Sequence, residues 1–85
     1  MSLSPDELNR VYWHSRRGML ELDLVLMPFA REHFPGLPEA DQQRYLDLLA
    51  CEDQDLFRWF LGKDSPEDEA LRQIVKLVLE RIRLD

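Results

Sequence analysis

The residues best suited to chemistry form one short segment, Arg16-Arg17-Gly18-Met19-Leu20-Glu21. An arginine fork binds carboxylates and carbonyls, and a glutamate accepts hydrogen bonds or moves a proton. If the segment is helical, Glu21 lies four residues after Arg17 and three after Gly18, so all three share one surface patch. Gly18 would lower the stability of that helix by about 1 kcal/mol relative to alanine, so its presence needs a reason.

Two explanations of this segment remain open. Gly18 either marks a junction between two helices, beside an ordinary exposed Arg–Glu pair, or it allows a partner's backbone to come close between a cation and an anion. Trp13 and Arg16 lie next to the segment, and aromatic and arginine side chains are enriched where proteins bind each other. Trp13 is therefore either a core anchor or an interface residue.

Other reactive side chains lack the spacing that their chemistry requires. His14 and His33 have no neighbour at ligand spacing, and Cys51 lacks the paired Cys or His of a zinc site. The acidic run at 52–55 lacks the glycine and the distal glutamate of a calcium loop. No glycine-rich phosphate loop and no nucleophile–histidine pair is recognisable. We expect no catalytic residue, no metal site and no stably bound cofactor.

Composition narrows the class of protein further. The chain has 85 residues and a formal net charge of -6, with no basic tract, which argues against nucleic-acid binding. The apolar stretch from Leu20 to Ala30 contains acidic residues and is shorter than the roughly 20 residues of a membrane span. A single cysteine and an N-terminus without a signal-peptide pattern favour a reducing compartment such as the cytoplasm. We expect a monomer without membrane insertion.

Helical periodicity throughout the chain predicts an all-α fold, a compact single-domain bundle of about five short helices over residues 1–85. The first helix is predicted from a capping box at Ser4 and Glu7 to about Arg16. The third should open at Pro38. Asp53 should cap the fourth, which ends at Gly62, and Ser65 should cap the fifth.

The second helix, starting near Gly18 or Met19, is predicted to be the most buried. It carries two adjacent apolar stripes, one of Leu20, Leu24 and Met27 and one of Leu22, Val25, Leu26 and Phe29. Pro28 lies inside the pattern, where it removes one hydrogen bond, so a kink or a restart is expected there.

The run from Arg16 to Asp23, followed by Met27-Pro28-Phe29, resembles the signature of the succinate dehydrogenase flavinylation factor family. The R-G-x-x-E motif of that family falls on Arg17, Gly18 and Glu21. A second block, from Leu48-Leu49 through Asp53, Asp55, Leu56 and Phe57 to Trp59, is also similar to the family. The chain departs from the family at Ala50, where a glutamate is common.

The resemblance implies a bacterial assembly factor, a chaperone rather than an enzyme. It implies binding to the flavoprotein subunit of succinate dehydrogenase, and in bacteria also of fumarate reductase. There the factor would promote covalent attachment of FAD, through its 8α-methyl, to a histidine of the partner. Arg17, Gly18 and Glu21, with Arg16 and Trp13 beside them, would then be partner-binding residues. Two alternatives stay open: a regulatory binding module of antitoxin type, and direct acid–base catalysis of flavinylation by Glu21 with Arg17 neutralising charge.

Overall fold

The computed structural model describes residues 3–62 and 64–82, and all regular structure in these ranges is helical. The helices are α1 Pro5–His14, α2 Leu20–Glu32, α3 Glu39–Leu49, α4 Asp53–Leu61 and α5 Glu69–Arg81, with a 3₁₀ turn at Phe34–Gly36. The predicted all-α bundle of five short helices is confirmed. Within the described ranges, no helix combines the length and apolar character needed to cross a membrane.

Helix α2 occupies the centre of the bundle, where it packs against α1, α4 and α5, while α3 packs mainly against α5. One hydrophobic core joins all five helices and the 3₁₀ turn. Its largest fully buried side chains are Tyr45, Phe29, Phe34, Leu22, Leu26, Leu48, Leu49, Leu56 and Ile74.

Side-chain hydrogen bonds cap the N-termini of α1 and α5. The predicted capping box is confirmed: the Ser4 hydroxyl accepts from the Glu7 amide at 3.2 Å, and the Glu7 carboxylate accepts from the Ser4 amide at 3.0 Å. The bond from the Ser4 amide to the carboxylate, with the Ser4 side chain beside it, lowers the pKa of Glu7. The prediction that Ser65 caps α5 is wrong. Asp68 does so, because its carboxylate accepts from the Leu71 amide three residues on, at 3.0 Å.

Two other helix boundaries also differ from the prediction. Helix α1 ends at His14 rather than near Arg16, because the Arg16 amide bonds to the Trp13 carbonyl three residues back instead of continuing the α-helical pattern, and the Ser15 side chain is buried in the core. Asp53 is the first residue of α4 rather than its cap. Glu52 holds the cap position without a side-chain hydrogen bond, because the Asp53 carboxylate binds an arginine.

The two apolar stripes of α2 have different surroundings. Leu22, Val25, Leu26 and Phe29 are fully buried, as predicted, but Leu20 and Leu24 are 70% and 56% exposed. Helix α2 is continuous through Pro28, so of the predicted kink or restart, the restart is wrong. The carbonyl that Pro28 leaves unpaired belongs to exposed Leu24, where water can satisfy it. One long side of the central helix therefore lies at the surface.

A pair of buried hydroxyls connects three helices beneath this surface. The Ser15 and Tyr45 hydroxyls lie 2.7 Å apart, and the carbonyls of Val11 and Leu26 lie within 2.8 and 3.3 Å of them. The two hydroxyls have two protons for these three contacts, so two of the contacts are hydrogen bonds at any moment, and both hydroxyls have a partner. Burial raises the pKa of Tyr45 far above its ordinary value. The network fixes the end of α1 against α2 and α3.

Candidate functional site

The link between α1 and α2, residues 15–19, contains two residues of the candidate motif. The predicted helical spacing of Arg17, Gly18 and Glu21 is wrong, because Arg17 and Gly18 lie in this link and only Glu21 is helical. Gly18 has φ +83°, in the left-handed region that favours glycine. A Cβ built on Gly18 would meet no atom within 4 Å, so the space above it is open. Gly18 is thus both the helix junction and an unobstructed point on the surface.

The Arg17 side chain points into the molecule rather than outward. Its Nε donates to the Asp53 carboxylate at 2.6 Å, and its Nη2 donates to the Cys51 carbonyl at 2.8 Å. Its Nη1 donates to the carbonyls of Leu49 at 2.9 Å and His14 at 3.3 Å. Only 12% of the side chain is exposed. The guanidinium therefore joins the end of α1, the end of α3 and the start of α4.

The backbone of Arg17 is held as well. Its amide donates to the Asp23 carboxylate in the first turn of α2, at 2.7 Å. Asp23 and Asp53 both lie in the first turn of a helix, where a negative charge is stabilised by the helix dipole. Through its amide and its guanidinium, Arg17 contacts α1, α2, α3 and α4.

Glu21 and Arg16 present charges to solvent beside Gly18. Both are exposed, and neither side chain has a hydrogen bond or ion pair within the described residues. Glu21 lies in the first turn of α2, close to Gly18 along the chain. An exposed, unpaired carboxylate is well suited to contact another protein, and poorly suited to acid–base catalysis that requires exclusion of water.

Trp13 lies at the end of α1 and is 55% exposed, so the interface interpretation is favoured over the core anchor. Its ring meets the Tyr12 ring edge-on, with centroids 5.2 Å apart. The Arg31 guanidinium of α2 lies 4.6 Å from the centre of the Tyr12 ring and also donates to the Tyr12 hydroxyl. This stack holds the aromatic pair against α2 and leaves Trp13 facing outward.

Leu20 and Leu24 extend this surface along α2, and the sequence interpretation had assigned both to the core. A depression in the surface is lined by Leu24, Met27 and Pro28 together with Tyr12 and Arg31. No signal in the sequence separates this exposed stripe from the buried one, because both have the same helical period. We call Trp13, Arg16, Gly18, Leu20, Glu21 and Leu24 the α2 face.

The described residues contain no group of three or more His, Cys, Asp or Glu side chains able to hold a metal ion. The half-buried Cys51 is a poor nucleophile, because burial raises the pKa of its thiol and keeps it protonated. Ala50, where a glutamate was expected, is exposed at the end of α3, one residue before Cys51 and its carbonyl bond to Arg17. The arrangement suits protein binding better than a reaction.

Comparison with known proteins identifies the family of this chain. The sequence profile of the family described as "Flavinator of succinate dehydrogenase" matches residues 9–82. A protein of Pseudomonas aeruginosa named FAD assembly factor SdhE is 56% identical over 79 residues, covering 93% of this chain and 94% of that one. The protein of the same name from Aliivibrio fischeri is 47% identical, covering 91% and 90%.

A solved relative shares the fold. The solution structure of a UPF0350 protein has a TM-score of 0.69 and 39% identity, over 96% of this chain and 93% of that chain. The sequence profile spans α2, α3, α4 and α5, most of α1 and the whole α1–α2 link. This chain belongs to the family of succinate dehydrogenase flavinators, the FAD assembly factors.

Proposed function

We propose that this protein binds the flavoprotein subunit of succinate dehydrogenase and promotes covalent attachment of FAD to it. The observation that carries the proposal is the match to the flavinator family over residues 9–82, with identities up to 56% to proteins named FAD assembly factor. The exposed α2 face supports it, because it places a cation, an anion and apolar side chains around an unobstructed glycine.

The factor acts by binding rather than by catalysis. Docking on the α2 face would favour the arrangement of the flavoprotein in which its own histidine meets the flavin 8α-methyl. Glu21 and Arg16 would supply charged contacts, while Trp13, Leu20 and Leu24 would bury apolar area. FAD would be attached to the partner and not retained by the factor. The factor would work as a monomer in the cytoplasm, and fumarate reductase would be a second client.

Deletion of the gene tests the proposal directly. Covalently bound flavin fluoresces in a denaturing gel, so the succinate dehydrogenase flavoprotein should lose its fluorescent band on deletion and regain it on complementation. An unchanged band in the deleted strain would refute the proposal. A pull-down whose dominant partner is a different protein would favour the antitoxin-type module instead.

Glu21→Gln separates docking from catalysis. The change removes the charge and keeps the shape, and Glu21 is exposed without a partner in the described structure, so folding should be unaffected. If Glu21 is a docking contact, affinity for the flavoprotein and flavin attachment should fall together. If docking stays intact while flavin attachment stops, Glu21 acts as the acid–base group and the factor is catalytic.

A further inference from the structure

The side chain of Arg17 has almost no capacity left for an outside ligand. A guanidinium has five N–H donors, and four of them are used by Asp53, Leu49, Cys51 and His14. The neighbouring Arg16 has the opposite character, being exposed and without a side-chain partner among the described residues. Two consecutive arginines in one motif therefore have different roles.

We propose that Arg17, together with Asp53, is a positioning residue that holds the α1–α2 link so that Gly18 and Glu21 face the partner, and that Arg17 itself makes no ion pair with the flavoprotein. The proposal rests on the proposed function, since the flavoprotein is the partner in question. It replaces the expectation that Arg17 is itself a partner-binding residue.

The helix ends around Arg17 explain why an arginine is required. The last carbonyls of a helix lack intrahelical donors and carry partial negative charge. Arg17 supplies donors to Leu49 and His14 at the ends of α3 and α1, and to Cys51 in the following turn. Asp53 balances the cation from the start of α4. A lysine has one charged nitrogen and cannot reach Asp53 and both sets of carbonyls at once.

The contacts of Arg17 hold the α1–α2 link, and the link determines where Gly18 and Glu21 lie. The Arg17 amide is bound to Asp23, and Gly18 follows with its left-handed φ, so the direction in which the chain enters α2 is fixed from both sides. Glu21 comes one residue after the start of that helix. Release of the Arg17 guanidinium would free the link and misplace Gly18 and Glu21 relative to the rest of the α2 face.

The test uses the full chain in three variants, Arg17→Lys, Asp53→Ala and the double variant. In ¹H–¹⁵N spectra of the free protein, both single variants should shift the amide signals of residues 16–21. Each should weaken binding to the purified flavoprotein subunit by on the order of tenfold, because a released link must be ordered again on binding. The double variant should bind no worse than the weaker single variant, because both changes break the same clamp.

Arg72→Lys is the matched control, because Arg72 also donates to main-chain carbonyls, those of Pro66 and Glu67, at 3.2 and 3.0 Å. It lies on α5, outside the α2 face, so its loss should alter stability without altering binding or the amide signals of residues 16–21. A similar loss of binding in Arg72→Lys would mean that general destabilisation, rather than positioning, explains the effect, and would overturn the proposal.

Two further outcomes would also overturn it. If Arg17→Lys weakens binding while Asp53→Ala leaves it unchanged or tightens it, Arg17 contacts the partner directly. If neither variant moves the amide signals of residues 16–21, the clamp does not position the link. Should Arg17→Lys fail to fold, Asp53→Ala still decides the question, because 43% of that side chain is exposed and its loss is milder. The spectra of the free protein do not depend on the proposed function. If the wild-type protein itself does not bind the flavoprotein subunit, the proposed function fails, and this result is distinct from failure of the clamp.

Discussion

Gly18 and Gly36 illustrate how one residue type can be required at one position and replaceable at another. A Cβ at either position would meet no atom within 4 Å, but only Gly18 has a positive φ among the described residues. Crowding therefore cannot explain a need for glycine at residue 18, whereas backbone conformation can.

We expect Gly18→Ala to lower the free energy of unfolding by about 1 kcal/mol, because alanine is strained in the left-handed region. The matched variant Gly36→Ala should change it by less than about 0.5 kcal/mol, as for most surface substitutions. Urea denaturation monitored by far-UV circular dichroism measures both. Equal effects of the two substitutions would argue against a conformational role for Gly18.

At the scale of the helices, the N-termini of α1 and α5 are each capped by a single side chain. Ser4 and Asp68 accept from backbone amides of the first turn, whereas Ser65, which also precedes a proline, takes no part in a cap. The two serines therefore form a natural comparison.

Ser4→Ala should lower the free energy of unfolding by about 1 kcal/mol through loss of the α1 cap, and Ser65→Ala should have little effect. The pKa of Glu7 is lowered in the folded state, so its contribution to stability is present at neutral pH and is lost as the pH falls through the acid range. Ser4→Ala keeps the backbone amide that lowers this pKa, so the matched variant for the pH effect is Glu7→Gln. Denaturation midpoints of wild type and Glu7→Gln should converge as the pH falls from neutral to acid. A constant difference between them would contradict this account.

Helix α2 has one leucine at the surface and another in the core only two residues apart. We expect Leu24→Ala to change stability by less than about 0.5 kcal/mol, because Leu24 is exposed. Leu26→Ala should cost roughly 2–5 kcal/mol, because Leu26 is fully buried. If the α2 face docks, Leu24→Ala should nevertheless weaken binding to the flavoprotein. Thermal denaturation and a binding titration on the same protein samples separate the two effects.

The sequence predicted the elements better than the site. Capping signals and periodic leucines are local, so the number of helices and the core stripe of Leu22, Val25, Leu26 and Phe29 could be recognised. The bonds of Arg17 to Leu49, Cys51 and Asp53 span more than thirty residues, and no spacing rule indicates them. The exposure of Leu20 was missed because hydrophobic periodicity shows which residues share a face, but not what covers it.

Over the whole molecule, the buried hydroxyl of Tyr45 makes stability depend on pH in the alkaline range. Burial raises the pKa of Tyr45, so the unfolded chain loses this proton at a lower pH than the folded chain does. The contribution is fully present below the unfolded pKa of about 10 and decreases as the pH rises above it.

Urea midpoints of the wild type should therefore fall more steeply above about pH 10 than those of Tyr45→Phe, which has no phenol to ionise. Tyr45→Phe should be less stable at neutral pH by about 1 kcal/mol, through loss of its hydrogen bonds. Tyr12→Phe serves as the control and should keep the steep alkaline decrease. If the urea midpoint falls equally steeply with pH in wild type and in Tyr45→Phe, groups other than Tyr45 cause the decrease.

The wide separation along the chain between Arg17 and its acceptors has a consequence for how the binding surface is produced. A synthetic peptide of residues 10–32 contains every residue of the motif but neither the α3 carbonyls nor Asp53, so it should not compete with the intact protein for the flavoprotein. During translation, likewise, the α2 face should be correctly positioned only after residue 53 has emerged from the ribosome. If the α2 face is the docking surface, recognition by this protein is thus expected to be a property of the folded chain rather than of its short motif alone.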